Sequence, residues 1–275
     1  MNNKRIAILG TGSMGGAILQ GLLASGLDAE SISVTTKTAE KATKLAEELG
    51  VWAYAVEEDA DANRLAVAAA DVVIVGVKPA YVVEVLAEVS EAIDPNAVVI
   101  SVAAGITTSA MEAAVKNQVV RAMPNTPSVV GRGVTGISAG TRANSEAMAT
   151  ATEIFESVGK VLVIDESQID ALSTISGSGP AYVFYLIEEF TEAAVAMGFT
   201  HEQAQLMVHD TFLGASELLA ASGKTPEELR RQVTSPNGTT MRAVAVLEDA
   251  NLDELFGKAT AAALARAKEI AAGNL

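Results

Sequence analysis

A glycine-rich turn near the start of the chain constrains its fold more than any other feature. Residues 10–15 read Gly-Thr-Gly-Ser-Met-Gly, which matches the pattern G-x-G-x-x-G. The turn follows a short β-rich run, residues 4–9, and opens a segment of helical character, residues 13–24. In that position glycines let the backbone turn tightly and approach a pyrophosphate, and the helix N-terminus presents N–H groups to phosphates. The turn therefore predicts a dinucleotide site, with a tight glycine turn in an ordinary α/β protein as the alternative.

The segments after this turn alternate between strand and helix patterns. Further strands are predicted at residues 31–35, 51–55, 72–77, 97–102 and 118–122, with residues 134–139 and 161–164 extending the far edge of the sheet, and further helices at residues 39–49 and 78–92. The run 72–77 contains no polar side chain, as expected of a parallel strand that is buried on both faces. This succession indicates an α/β fold with a largely parallel, doubly wound sheet of the Rossmann type over residues 1–164.

Residues 165–275 carry helical signals only. Residues 180–197 are nearly all apolar apart from three glutamates, so most of that helix surface is expected to be covered by protein. Two later helix starts have the spacing of a capping box, Thr200 with Gln203 and Thr225 with Glu228, and Asn251 with Glu254 is a looser version. One helical domain cannot easily cover this apolar surface together with the small-residue helix 259–272. The sequence therefore predicts an obligate homodimer.

The composition excludes several classes of function. The 275 residues include no cysteine, which removes disulfides, thiolate nucleophiles and cysteine-based metal sites. A net charge of −15 repels nucleic acid and anionic lipid, so neither is expected as a partner. His201 and His209 would lie about 80° apart on one helix surface, so no metal site is predicted. No apolar run approaches the roughly 18 residues of a membrane span, and no signal-peptide pattern is present, so a cytoplasmic location is expected.

The end of the second predicted strand bears on the choice of cofactor. An NAD-specific site would carry Asp or Glu there to bind the ribose 2′-hydroxyl, whereas this strand ends Thr35-Thr36-Lys37. Two hydroxyls and an ammonium suit a 2′-phosphate, so NADPH is favoured and NADH is the alternative cofactor. If this loop is merely solvated, Lys37 touches nothing and the preference is absent.

Three longer stretches carry more information than the general fold. Residues 121–127 read Arg-Ala-Met-Pro-Asn-Thr-Pro, residues 176–182 Ser-Gly-Ser-Gly-Pro-Ala-Tyr, and residues 233–240 Val-Thr-Ser-Pro-Asn-Gly-Thr-Thr. In order, spacing and content they resemble the signature stretches of the pyrroline-5-carboxylate reductase family. The glycine turn, Val77-Lys78-Pro79 and Ala103-Ala104-Gly105 extend the resemblance over essentially the whole chain. Taken alone, residues 123–125 would be only a turn at the edge of the sheet.

This resemblance implies a fold and an activity. The family reduces the cyclic imine 1-pyrroline-5-carboxylate to L-proline with NADPH or NADH, the last step of proline biosynthesis. Its members pair a Rossmann domain with a helical domain that interlocks into dimers, which are often gathered into larger rings such as a decamer. For this chain the resemblance implies a cofactor domain, residues 1–164, and a helical substrate-binding and dimerisation domain, residues 165–275.

The resemblance also implies which residues form the site. Cofactor contacts would fall on Gly12, Ser13, Met14, Gly15, Thr36, Asn63, Gly76, Val77, Lys78, Ala103 and Ala104, to which the glycine pattern adds Gly10 and the strand end adds Lys37. Substrate contacts would fall on Glu166, Ser235, Thr239 and Thr240. Lys78 could equally be a solvated lysine before a proline. Asn237 departs from the glycine common at this point in the family, but asparagine tolerates a left-handed backbone better than most residues, so the loop is expected to survive this change.

The chemistry of residues 235–240 agrees with that assignment. The loop offers hydroxyls and N–H groups before a helix that begins near Thr239 or Thr240, and helix-start amides suit a carboxylate, although a plain turn with an N-cap would also fit. No cysteine and no well-placed histidine is available as a strong acid, so we predict that the Thr240 hydroxyl orients the ring nitrogen by a hydrogen bond. A hydroxyacid dehydrogenase of the same build and a redox-sensing NADP-binding module without turnover are the competing functions.

Overall fold

The chain divides into two compact units. The computed structural model describes residues 4–271. One unit is Gly179–Ala263, and the other contains the described residues on either side of it, 4–178 and 264–271. The predicted domain boundary between residues 164 and 165 precedes this division and remains a prediction. Residues 1–3 and 272–275 of the two predicted domains lie outside the described residues.

The first unit is built on an eight-stranded sheet. Its strands are β1 (Ile6–Leu9), β2 (Ile32–Thr36), β3 (Trp52–Ala55), β4 (Val72–Val75), β5 (Val98–Ser101), β6 (Gln118–Met123), β7 (Gly133–Ala139) and β8 (Gly159–Val163). Their spatial order is β3-β2-β1-β4-β5-β6-β7-β8, and all neighbouring pairs are parallel except β6 with β7. The first six strands follow the Rossmann order. The predicted α/β class and its doubly wound sheet are thus confirmed.

The central strands β1, β4 and β5 are apolar at nearly every position because the middle of the sheet is buried on both faces. Every residue of β1, β4 and β5 is buried. Successive side chains alternate between two hydrophobic cores, with Ile6 and Ile8 in one and Ala7 and Leu9 in the other. The loops that leave the carboxyl ends of these strands therefore carry the polar groups that such a fold can offer a ligand.

Helices pack on both faces of this sheet. They are α1 (Ser13–Ala24), α2 (Ala39–Leu49), α3 (Ala62–Val67), α4 (Val82–Val89), α5 (Thr108–Ala114), α6 (Ser145–Glu156) and α7 (Glu166–Leu172). The predicted bounds of α1 and α2 are confirmed, and Gly50 ends α2 with a left-handed φ of 71°. The helix predicted over residues 78–92 forms over residues 79–89, and only its second part is α-helical. Lys78 is extended before Pro79, a 3₁₀ turn covers Pro79–Tyr81, and α4 begins only at Val82.

The second unit is helical throughout. The helices of this part of the chain are α8 (Gly179–Ala196), α9 (His201–Ser222), α10 (Pro226–Gln232), α11 (Thr239–Asp249) and α12 (Leu252–Ala271), of which α12 continues past Ala263. Both predicted capping boxes form, at Thr200 and at Thr225. At Asn251, α12 begins at the next residue and the Asn251 carbonyl accepts a hydrogen bond from Leu255 N at 3.2 Å. Asn251 has a left-handed φ of 49°, unlike the extended N-caps at Thr200 and Thr225, and the looser capping box with Glu254 stays a prediction. The predicted helix end at Ala272 lies outside the described residues.

Candidate active site

The glycine turn packs directly against the loop after β4. A Cβ on Gly15 would lie 2.4 Å from the carbonyl oxygen of Gly10, and one on Gly76 would lie 2.8 Å from the same atom. Gly10 itself has a left-handed φ of 89°, and a Cβ there would lie 2.9 Å from Val77. Three glycines are therefore required for the backbone to close on itself at the point where β1 and β4 end side by side.

Gly12 differs from the other glycines of this turn because the space around it is open. Apart from its two chain neighbours, no residue has a heavy atom within 4 Å of where its Cβ would be. Gly12 is the N-cap residue of α1, offers no capping side chain, and is followed by a first turn without acidic residues. The amide groups that begin α1 thus face an open approach, which fits the pyrophosphate of a dinucleotide.

Thr35, near the end of β2, forms hydrogen bonds with the glycine turn. The Thr35 hydroxyl accepts a hydrogen bond from Gly10 N at 3.1 Å, and the Thr35 carbonyl accepts from Thr11 N at 3.0 Å and from the Thr11 hydroxyl at 3.1 Å. The Thr35 side chain is therefore already engaged within the protein. Thr36 is buried beside it, and Lys37 is exposed.

Two charged side chains that sequence analysis missed lie beside the glycine turn and the start of α2. Lys41, in the first turn of α2, donates a hydrogen bond to the Thr11 carbonyl. Glu57, just after β3, accepts a hydrogen bond from Ala39 N at 2.8 Å. The prediction rested on the residues that end β2, whereas these charges come from the neighbouring helix and strand. The structure therefore places a second cation, Lys41, and a carboxylate, Glu57, at the same end of the sheet as Lys37.

The other predicted cofactor residues follow the strands on either side. Asn63, at the start of α3, is buried and donates to the Glu88 carboxylate at 3.3 Å. Lys78 follows β4 and is exposed. Ala103 follows β5, where its N–H donates to the Ser101 hydroxyl at 3.3 Å. The carboxyl ends of β1, β4 and β5 thus bring the glycine turn, residues 76–78 and residues 103–104 to one edge of the sheet.

Glu166 lies at the start of α7, where both of its carboxylate oxygens are bonded within the first unit. One accepts from Thr108 N and the other from the Thr108 hydroxyl, each at 2.7 Å. Arg121 on β6 lies 3.5 Å from Glu166 and 2.6 Å from Asp170. Its side chain is only 5% exposed. Sequence analysis identified Arg121 only as part of a motif and did not identify Thr108 or Asp170.

The motif at residues 121–127 also binds the segment that follows α7. Ser173–Gly177 forms a π-helical turn. The buried Asn125 side chain donates to the Ser176 carbonyl at 2.8 Å and accepts from Val134 N at 2.8 Å. Two of the three signature stretches are therefore joined by a side chain, which a single sequence could not have revealed.

In the second unit, the predicted substrate loop ends at the start of α11. Asn237 has a left-handed φ of 61°, and Gly238 N donates to the Ser235 carbonyl at 3.0 Å. The expectation that asparagine supports this conformation is confirmed. Gly238 is the N-cap of α11 and offers no side chain, and the helix begins at Thr239 as predicted. The first amides of α11 are thus free of side-chain caps and suited to a carboxylate.

The histidines play no part in these arrangements. Both lie exposed on α9, as predicted, and they line a groove with Glu188 and Glu192 of α8. Among the described residues, no group of three or more His, Asp or Glu side chains could hold a metal ion. Within residues 4–271, no helix combines the length and apolarity needed to cross a membrane.

Comparison with known proteins assigns the chain to a family. Residues 5–105 match the family described as NADP oxidoreductase, coenzyme F420-dependent, and residues 166–270 match the family described as pyrroline-5-carboxylate reductase dimerisation. The pyrroline-5-carboxylate reductase of Corynebacterium melassecola is 37% identical over 270 residues, which are 96% of this chain and 98% of that protein. The chain belongs to the pyrroline-5-carboxylate reductase family.

Solved structures of pyrroline-5-carboxylate reductases have the same fold. The enzyme from Coxiella burnetii is 40% identical, with a TM-score of 0.91 and 98% of each chain covered. The enzyme from Plasmodium falciparum, solved with NADP bound, is 26% identical, with a TM-score of 0.83 and coverage of 98% of this chain and 99% of that one. Together with the two family descriptions, these similarities define an oxidoreductase with a Rossmann-type sheet and a helical dimerisation region.

The pyrroline-5-carboxylate reductase dimerisation region carries extensive exposed apolar surface in the single chain. Of the residues in α8, only Thr191 and Ala194 are buried. Phe184, Tyr185 and Phe190 are 66%, 60% and 53% exposed. Apolar surface of this extent on a helix marks an interaction site, as expected of a region that pairs with a second copy.

Proposed function

We propose that the chain catalyses the NADPH-dependent reduction of 1-pyrroline-5-carboxylate to L-proline. The observation that carries this proposal is the similarity, along nearly the whole length, to proteins named pyrroline-5-carboxylate reductase. When bound, NADPH supplies a hydride to the imine carbon, so that the protonated C=N bond becomes a C–N single bond and NADP⁺ is released. The chain's own residues have to bind the pyrophosphate, bind the substrate carboxylate and orient the ring.

The start of α1 is the proposed pyrophosphate site. The open surroundings of Gly12 and the absence of a capping side chain support this role. The proposed cofactor contacts are Gly10, Gly12, Ser13, Met14 and Gly15 for the phosphates, Asn63 for a ribose, and Gly76, Val77, Lys78, Ala103 and Ala104 for the remaining half of the molecule. All of them follow strands or begin helices at the carboxyl edge of the sheet.

NADPH is the proposed preferred cofactor, with NADH as the weaker one. Thr36, Lys37 and Lys41 supply a hydroxyl and two cations near the end of β2 and the glycine turn, and both ammonium groups would attract a 2′-phosphate. Glu57 opposes them, because a carboxylate at the first turn of α2 repels a phosphate. The preference therefore depends on a balance of neighbouring charges.

The start of α11 is the proposed site for the substrate carboxylate. Its first amides belong to Thr239 and Thr240, with the Ser235 hydroxyl in the preceding loop. The Thr240 hydroxyl is proposed to hydrogen-bond the ring nitrogen as that atom becomes an amine, which would fix the face of the ring that receives the hydride. Glu166 is retained as a proposed substrate contact because 29% of its side chain is exposed despite its bonds to Thr108.

The proposed assembly is a homodimer formed by the dimerisation region, with residues 165–275 as the functional domain and a decamer of five dimers as the larger particle. The open apolar surface of α8 supports the dimer. The resemblance to the family supports the ring. The same proposal sets the reaction in the cytoplasm, where NADPH is available.

A direct assay tests the activity. The protein is mixed with NADPH and 1-pyrroline-5-carboxylate, the loss of reduced nicotinamide absorbance is followed, and L-proline is identified by chromatography. Substrate-dependent oxidation with stoichiometric proline supports the proposal. Tight NADPH binding without turnover would instead support the redox-sensing module, and oxidation of 2-hydroxy acids with NADP⁺ would support the dehydrogenase.

A further inference from the structure

A buried arginine, to which the proposed reaction gives no direct role, lies at the centre of a charged cluster in the first unit. Arg121 is 5% exposed and lies between two carboxylates, 2.6 Å from Asp170 and 3.5 Å from Glu166. A buried guanidinium is costly unless it is paired, and removal of one partner from such a pair is strongly destabilising. The fold therefore holds Arg121, Glu166 and Asp170 in fixed relative positions.

This cluster reaches the loop that follows β5. Glu166 accepts hydrogen bonds from both the N–H and the hydroxyl of Thr108, the first residue of α5. At the other end of the loop, Ser101 is the register partner of Arg121 in the sheet. Residues 102–107 are thus held at both ends, by the sheet at one end and by Glu166 at the other.

The same loop carries two of the proposed cofactor contacts. Ala103 and Ala104 stand between these two anchors, and Gly105 turns the chain with a left-handed φ of 76°. Ala103 and Ala104 have only methyl side chains, so the position of their backbone amides depends on the two anchored ends of the loop. A shift of about 1 Å in a group that orients reactants can lower a rate about 10²-fold.

We propose that Arg121 is a positioning residue of the reductase reaction. Through Glu166 it fixes Thr108 and thereby the backbone of residues 102–107 on which the nicotinamide half of the cofactor rests. This inference depends on the proposed function for its kinetic readout. It assigns Arg121 no contact with the substrate and no proton transfer.

The chain offers a matched control at the opposite end of α5. The Arg142 guanidinium donates to the carbonyls of Glu112, Val115 and Asn117, at 3.2, 2.7 and 3.2 Å. Arg142 therefore also anchors α5 through several hydrogen bonds, but it does so at the end remote from the loop. Arg142→Met measures the effect of loosening α5 without loosening residues 102–107.

The experiment compares Arg121→Met, Arg121→Lys and Arg142→Met below their unfolding temperatures. For Arg121→Met we expect kcat to fall about 10- to 100-fold, while the Kd of adenosine 2′,5′-bisphosphate, which carries only the adenine half of NADPH, changes less than about twofold. Arg121→Lys keeps the charge and should recover part of the loss. Arg142→Met should keep the wild-type kcat.

Backbone hydrogen exchange gives a readout that does not depend on activity. Arg121→Met should accelerate exchange at residues 102–108 and leave the glycine turn unchanged. If Arg121→Met does not fold, two other variants test the contacts that link Asp170, Arg121, Glu166 and Thr108. Thr108→Val removes the hydroxyl bonded to Glu166, and Asp170→Asn removes the charge paired with Arg121. Unchanged kcat and exchange in the folded variants would overturn the inference, as would an equal loss of kcat in Arg142→Met. Absence of turnover in the wild-type protein would refute the proposed function, and the exchange data would still decide the inference.

Discussion

At the scale of single residues, two adjacent threonines begin α11 with different surroundings. Thr239 is exposed, and Thr240 is partly buried. Both contribute a backbone N–H to the start of the helix, and these N–H groups remain when threonine is replaced by valine. The substitution to valine therefore separates what the hydroxyls do from what the backbone does.

Thr240→Val is expected to lower kcat/KM about 10²-fold, because loss of one oriented donor at a reacting atom typically costs that much. NADPH affinity, measured by fluorescence, should stay near the wild-type value. Thr239→Val is the control and should have a smaller effect. Full turnover in Thr240→Val, or loss of cofactor binding, would mean that the loop has only a structural role.

The charged side chains near the end of β2 are expected to affect the choice between NADPH and NADH. The two lysines should favour NADPH, and Glu57 should disfavour it. Lys37→Ala and Lys41→Met should each reduce the NADPH-to-NADH ratio of kcat/KM, by about fivefold or roughly 1 kcal/mol for a partly exposed charge-assisted contact. Glu57→Gln should raise this ratio because a repulsive carboxylate is removed. Lys44→Met, on the exposed face of α2, is the control. Identical effects on the two cofactors would contradict the assignment.

Sequence analysis identified the residues whose function depends on local backbone geometry. Gly10 and Asn237 have the left-handed conformations expected of turns, and these follow from residue type and near neighbours. Lys41, Glu57 and Arg121 were missed as members of the site because their partners come from other strands and helices. Contacts of that kind are fixed by the packing of distant segments, which one sequence does not display.

At the scale of secondary-structure elements, the turn between β1 and α1 contains glycines with two separable roles. Gly15 has a backbone neighbour where a Cβ would lie, whereas Gly12 has open space. The first is therefore required for the fold, and the second is available for the ligand.

Gly15→Ala should destabilise the protein by roughly 1–3 kcal/mol, as overpacking does. Gly12→Ala should lower the unfolding midpoint only slightly in the absence of cofactor, since alanine is a poorer N-cap than glycine. It should weaken NADPH binding at least tenfold, because its methyl group would occupy the approach to the α1 amides. Thermal unfolding without cofactor and NADPH titration check the two expectations separately. A strongly destabilised Gly12→Ala would show that this glycine is also structural.

The capping box of α10 should give the protein a small pH dependence at acid pH. Hydrogen bonds from the N–H and hydroxyl of Thr225 hold the pKa of Glu228 below its ordinary value of 4.5. The stabilisation is therefore fully present above pH 4.5 and is lost as the pH falls through the lowered pKa. Glu228→Gln should lower the unfolding midpoint at pH 6, and the gap to wild type should narrow as the pH falls towards 3.5.

Glu217→Gln, on the exposed surface of α9, is the control for this titration. Its difference from wild type should not follow the same pH profile. A gap between Glu228→Gln and wild type that stays constant from pH 6 to pH 3.5 would contradict the role of the carboxylate.

Local signals predicted most elements because their ends are determined by nearby residues. The capping boxes at Thr200 and Thr225 and the glycine after α2 gave correct helix bounds. The 3₁₀ turn over Pro79–Tyr81 was missed because a proline in the first turn is compatible with both an α-helix and a 3₁₀ turn. The antiparallel pairing of β7 with β6 was also not evident, since the residues of a strand do not reveal its direction.

At the scale of the whole molecule, the helical region should be stable only as an oligomer. Light scattering at micromolar concentration is expected to give the mass of a dimer or a multiple of it, with no active monomer. Phe184→Glu, which introduces a charge on the exposed surface of α8, should dissociate this assembly. Leu65→Glu, on an exposed position of α3 outside the dimerisation region, should leave it intact. A stable, active wild-type monomer would overturn the expectation.

The strand order also determines when during synthesis the cofactor loop can be completed. β1 lies between β2 and β4, so Ile6 is paired with both Ile32 and Val72. A nascent chain that has left the ribosome only as far as β3 can assemble one side of β1, but Gly76 and Val77, against which the glycine turn packs, have not yet emerged. Contacts between segments so distant in sequence form late. The glycine turn is thus synthesised early, but it can reach its final packing only after Gly76 and Val77 have also been synthesised.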